Sequence, residues 1–139
     1  MKTICLLLLT MLGLGSATME AGAQAWPARP LRVIVPVGAG SATDIVPRIV
    51  FEQLSAQLGQ TIVVENRPGA GGTIGTNFVA KAEPDGYTLL VNSNAHTISP
   101  ALYRSLDYDP ARDFAAVISL GVSPNVLVVS PAKGFKTVG

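Results

Sequence analysis

A chain of 139 residues with ten basic and nine acidic side chains, and a net charge of +1, carries no charge field for gripping nucleic acid or an anionic membrane surface. A single cysteine rules out a disulfide framework, so the fold has to hold by packing its 48% hydrophobic residues. The chain is long enough for one core but too short for two lobes enclosing a cleft.

Met1-Lys2 is a short basic start, Ile4 to Leu14 an apolar run too short to span a bilayer, and Ala23-Gln24-Ala25 a small-x-small cleavage site. Residues 1–25 therefore read as a secretory signal peptide, and residues 26–139 as the mature chain beginning at Trp26. Lys2, Glu20 and Cys5 leave with the leader, so the mature chain keeps nine basic and eight acidic residues and no thiol. The implied location is extracytoplasmic, in a double-membraned bacterium the periplasm, with no membrane insertion of the mature chain.

Trp26 to Pro30 is an extended lead-in, because Pro27 and Pro30 bias the residues before them away from helix. Leu31 to Val35 is continuously apolar and β-branched, the pattern of a strand covered on both faces. The turn Pro36-Val37-Gly38-Ala39-Gly40-Ser41 follows. Ile45, Ile49, Leu54 and Leu58, with Val46 and Val50 beside them, then recur at helical spacing up to the stop at Gly59. Ser41 and Asp44 have capping-box spacing, but Pro47 sits badly six residues past a Ser41 cap, which favours a helix starting nearer Asp44.

Thr61 to Glu65 reads as a second strand, Asn66 to Gly72 as a glycine-rich turn, and Thr73 onward as a second helix ending before Pro84. Tyr87 to Val91 is a third strand running into the polar stretch Asn92 to Thr97. A short helix is expected over Ser99 to Arg104, with Pro100 in its first turn. Phe114 to Leu120 and Asn125 to Val129 are further strand candidates, and Pro131 to Gly139 is loop-like. Strands alternating with helices imply an α/β fold with a mainly parallel sheet, whose strand-to-helix loops gather at one edge.

A strand feeding a glycine-bearing turn that opens a helix presents backbone N–H groups at the positive end of the helix dipole, where an anion can sit. Two such turns occur, at Pro36 to Asp44 and at Asn66 to Gly75. The first is close to a dinucleotide fingerprint but fails at Thr43, where glycine or alanine is needed for close packing; neither is followed by a phosphate-loop lysine. No cofactor is expected. With one histidine and no mature cysteine, no metal site is expected either. A small exported hydrolase using His96 is an alternative, although no activated-serine turn is present.

Six stretches carry a resemblance over essentially all of Trp26 to Gly139: Pro30 to Pro36, Ala42 to Asp44, Val64 to Gly72, Ala82 to Leu90, Tyr108 to Phe114 and Pro124 to Val129. Together they resemble the Bug-type receptors of tripartite tricarboxylate transporters. The resemblance implies the N-terminal lobe of a type II, two-lobed periplasmic binding protein, truncated before its second lobe. It also implies a small organic carboxylate as ligand, the membrane permease subunits of the transporter as partners, and a monomeric receptor that is not an enzyme. Carried onto this sequence, the ligand contacts fall at Gly38, Ala39, Gly40, Ser41 and Asp44, and at Ala70, Gly71, Gly72 and Thr73, with Ser93, Asn94 and His96 from the third loop. Two departures stand out: Ser41 where the family has a second glycine, and Pro47 in place of a helix former. Family members are also roughly twice as long, so a non-functional truncated fragment is the other alternative.

Overall fold

The structure, a computed structural model, describes residues 26–124 and 126–134. The leader read at residues 1–25 lies outside them, as do Asn125 and residues 135–139. The elements in chain order are β1 (Leu31–Val35), α1 (Ala42–Leu58), β2 (Ile62–Asn66), a 3-10 turn (Ala70–Gly72) leading into α2 (Thr73–Ala80), β3 (Thr88–Leu90), α3 (Ala95–Leu102) and a second 3-10 turn (Pro131–Lys133). The architecture is mixed α/β, with a three-stranded parallel sheet of order β2-β1-β3.

β1 is the central strand. It pairs along its whole length with β2, from Leu31 opposite Ile62 to Val35 opposite Asn66, and through Arg32, Val33 and Ile34 with β3. A strand flanked on both sides and covered on both faces has no solvent to meet, which accounts for the complete burial of Val33, Ile34 and Val35. Val33 and Val35 pack on Phe51 of α1, with Leu54, Ile62 and Val64 around them. Arg32 and Ile34 belong to the opposite face of the pleat, where Phe78 of α2 lies under the Arg32 guanidinium at 4.8 Å. The two helices thus cover opposite faces. The lead-in is tied down as well: the Ala28 N–H donates to the Tyr87 hydroxyl (2.9 Å), and Arg29 stacks over the Tyr87 ring.

Six sequence expectations need correction. The first helix starts at Ala42, not nearer Asp44, with Ser41 as its extended N-cap and Pro47 inside it. Pro47 is accommodated because its ring is itself part of the buried side of the helix. That side consists of Asp44, Pro47 and Phe51, whereas Ile45, Val46, Ile49 and Val50 face outward. The helix is therefore turned relative to its most apolar stripe. The hydrogen bonds of Asp44 set that rotation, since a buried carboxylate has to reach its donors.

The second strand runs one residue later than Thr61 to Glu65, and the third is shortened to Thr88–Leu90. The helix expected over Ser99 to Arg104 spans Ala95–Leu102 instead, with Pro100 well inside it. Asn, Ser, His and Thr are weak helix formers. Here their local bonds start the helix early: the amides of Thr97 and Ile98 both donate to the Asn94 carbonyl. Neither Phe114 to Leu120 nor the described part of Asn125 to Val129 forms a strand, and Val117, Ile118, Val122 and Val126 to Val128 are largely exposed. β-branched composition does not make a strand without a neighbouring strand to bond.

Burial separates the two kinds of apolar residue experimentally. Ile34→Ala removes a fully buried side chain at the sheet centre and is expected to cost about 2 to 5 kcal/mol, read from urea unfolding. Ile118→Ala, at an exposed position, is expected to stay within about 0.5 kcal/mol of the parent chain.

Candidate functional site

Parallel pairing sends the chain out of β1, β2 and β3 at the same edge of the sheet, and the three exits meet there. From the first loop come Pro36 and Val37; from the second, Gly71, Gly72 and Thr76. The third contributes Asn92, Ser93, Ala95, His96 and Ser99. The lining carries no carboxylate, lysine or arginine. The space these residues enclose is about 20 Å³, room for one water rather than for a dicarboxylate. This small space, more closed than open, is the floor where the loops meet. A larger open groove of about 340 Å³ runs between α1 and the outer edge of β2, past Arg48, Phe51 and Ile62, and none of the loop residues lines it. It exists because β2 is an edge strand, and chemistry points to the loop edge instead.

Of the residues expected at the site, the structure brings Gly71, Gly72, Ser93 and His96 onto this floor. Gly38, Ala39, Gly40, Ser41, Ala70 and Asn94 are exposed and Thr73 is half-buried; these seven lie outside the enclosed space. Asp44 is different. It is 3% exposed, and its carboxylate accepts from the Gly40 N–H (2.9 Å), Arg48 Nε (2.9 Å) and Asn66 Nδ2 (2.8 Å). The Gly40 amide is thus turned onto Asp44, so the capping box expected from Ser41 and Asp44 closes one residue further back. The Ser41 side chain makes no cap bond.

The second loop is shaped by close approach. Gly71 and Gly72 take φ of +64° and +93°, where a side chain is strained. A Cβ on Gly75 would come within 2.7 Å of the Arg67 carbonyl oxygen and 3.0 Å of Pro36, so this glycine lets α2 seat against the ends of β1 and β2. Tyr103, not singled out in the sequence, lies over the loop: its hydroxyl would be 2.6 Å from a Cβ on Gly71. Below the loop, Glu65 accepts from Arg32 (2.6 and 2.9 Å) and from Arg67 Nε (2.6 Å), and both guanidinium groups stack on Phe78.

Both acids next to the loops are held ionised. Hydrogen bonds from Arg48, Gly40 and Asn66 bring Asp44 from 3.8 down to about 2, and bonds from Arg32 and Arg67 lower Glu65. In the third loop His96 Nε2 lies 3.1 Å from the Pro110 carbonyl oxygen and the ring packs edge-on against Phe114. The Thr97 hydroxyl donates to the Asn94 carbonyl. A base–nucleophile pair is not what these two side chains make; Nε2 is used to dock the Asp107 to Phe114 turn.

With this geometry in view, comparison with known proteins is informative. Residues 46–139 match the family model described as the tripartite tricarboxylate transporter family receptor. The chain belongs to this receptor family. Protein BugT of Bordetella pertussis is 40% identical over 130 residues, a match that takes in 89% of this chain and 40% of BugT. Among solved structures, the periplasmic binding protein BugD superposes with a TM-score of 0.61 at 46% identity, covering 64% of this chain and 30% of BugD. MatC of Rhodopseudomonas palustris, solved with bound malate, gives 0.60 at 42% identity, covering 64% of this chain and 31% of MatC. The tripartite receptor chain described here therefore spans well under half the length of these relatives.

Two outcomes follow from the geometry. Because Asp44 is more acidic folded than its ordinary value, its contribution to stability is complete above about pH 3.8 and is lost as pH falls towards 2. The stability difference between the parent chain and Asp44→Asn should therefore be flat from neutral pH to about pH 5 and shrink below pH 4, read by chemical unfolding at each pH. Gly75→Ala is expected to destabilise by about 1 to 3 kcal/mol through overpacking. Gly38→Ala, with nothing within 4 Å of its added Cβ, should be close to neutral in the same measurement.

Proposed function

We propose that this tripartite transporter receptor chain is the N-terminal lobe, residues 26–139, of an extracytoplasmic solute-binding protein. It is exported to the periplasm by a cleavable leader at residues 1–25 and captures an organic carboxylate for delivery to membrane permease subunits. The observation that carries this reading is the meeting of three strand-to-helix loops over a floor with no charged side chain. Backbone N–H groups and hydroxyls can hold a carboxylate there without a buried cation that would need its own partner. The contacts assigned are Gly71, Gly72, Ser93 and His96 on the floor and, outside the enclosed space, the Gly38 to Ser41 turn, Ala70, Thr73 and Asn94. Binding of malate by MatC, and the periplasmic setting of BugD, support the ligand class and the location. The role is capture, and no bond of the ligand is made or broken.

The floor holds about one water, so ligand enclosure is assigned to polypeptide beyond this lobe, and affinity on the lobe alone is expected to be weak. L-malate or citrate should raise the melting temperature of the chain in a concentration-dependent way, approaching about 2.7 kcal/mol of stabilisation at a hundredfold excess over Kd. Gly71→Val, which fills the second loop and meets Tyr103, should remove the effect, while sulfate and chloride should not reproduce it. Equal stabilisation of Gly71→Val by malate and citrate would count against the loop assignment. The exported chain should have a mass that starts at Trp26.

A further inference from the structure

Beyond the ladder of β1 and β2, one side chain keeps the two strands joined. Asn66 is the last residue of β2 and sits in register with Val35, the last residue of β1. The Arg67 amide donates to the Val35 carbonyl, and after that bond the chains part into the first and second glycine loops. Here the Asn66 carboxamide takes over. Its Nδ2 donates to the Val37 carbonyl (3.1 Å) and to Asp44 Oδ1 (2.8 Å), and its Oδ1 accepts from Arg48 Nη2 (2.6 Å). Arg48 Nε in turn donates to Asp44 Oδ1, and Asp44 Oδ2 accepts from Gly40 N–H. Asp44, Arg48 and Asn66 thus close a ring that reaches the first loop at two points, Val37 and Gly40.

We propose that Asn66 is a positioning residue for the carboxylate site: through Asp44 it fastens the first glycine loop to the start of the second, so the two loops take their ligand-holding shape as one unit. This rests on the receptor reading above. It also gives Asp44 a role behind the loop, acting through Gly40 rather than on the ligand. Residue chemistry supports the assignment. Only a short carboxamide supplies two donors and an acceptor at this point, and turning the amide over would set its oxygen against two acceptors and its nitrogen against a guanidinium. Aspartate would lose both donors and place a second carboxylate beside Asp44. Because Asp44 is buried, loss of one donor leaves a charge short of partners, which the loop relieves by opening.

The test uses the purified chain and two readouts. In the ligand-free protein, Asn66→Ala should speed hydrogen exchange of the Gly40 amide, which Asn66 does not touch, by about tenfold or more, the size of one lost bond to a charged group. Exchange of the Val91 amide, bonded to Ile34 at the far side of β1, should not change. At a temperature where both proteins are folded, the Kd for L-malate should rise by a similar factor. Arg48→Met, at a half-exposed side chain, carries the same test if Asn66→Ala does not fold, because it removes the donors that close the ring between Asp44 and Asn66. A lowered melting temperature with unchanged Gly40 exchange and unchanged Kd would overturn the proposal and leave Asn66 a stability residue. Absence of malate and citrate binding by the parent chain would instead overturn the receptor reading, and Gly40 exchange would still decide whether the loops are fastened through Asn66.

Discussion

Everything in this fold follows from β1 pairing in parallel with a strand on each side. Parallel neighbours cannot be joined by tight turns, so each connection has to carry a helix back across the sheet. α1 and α2 fall on opposite faces and bury every residue of β1 except Arg32. The same geometry delivers all three strand exits, at Val35, Asn66 and Leu90, to one edge. A sheet with one central strand thereby obtains both its core and the convergence of its polar loops from a single arrangement of hydrogen bonds.

At that edge, charge is kept out of the floor and used behind it. Asp44 and Glu65 are each neutralised by guanidinium groups, Arg48 for the first and Arg32 with Arg67 for the second. What remains facing the shared space holds no carboxylate, lysine or arginine: glycine turns, Thr76, Asn92, Ser93 and His96. For recognition of an anion this division has a physical advantage. An unsatisfied buried cation is costly in the empty state, whereas backbone amides and hydroxyls are satisfied by water until a carboxylate replaces it. The glycines are spaced for approach as much as for turning, since Gly75 admits the Arg67 carbonyl and Pro36 at distances no Cβ would tolerate.

How much of this was legible in the sequence depends on the range of the interaction involved. Leu31 to Val35 announced a doubly covered strand by composition, and Gly59 announced its helix stop; it is indeed in the left-handed region at φ +64°. The family resemblance, carried by stretches such as Val64 to Gly72, agreed with the receptor family and with the α/β fold. Periodicity misjudged α1, because Ile45, Val46, Ile49 and Val50 form its most apolar stripe and yet lie outside, while a carboxylate, a proline and Phe51 lie inside. It misjudged Phe114 to Leu120 and the described part of Asn125 to Val129 as well, where β-branched residues found no neighbour. Asn66 and Tyr103 gave no local signal: one matters for what reaches it across the strands, the other for lying over Gly71.

The sequence alone determined the order of strands and helices as far as α3, the glycine turns, and the mild charge balance. These are local properties, encoded in residues near one another in the chain. Tertiary structure decided the rotation of α1, the pairing of Asn66 with Asp44, and which loop residues share the floor. Those outcomes depend on strand register and on Asn66 reaching the buried carboxylate from 22 residues away, neither of which is encoded in residues near one another in the chain.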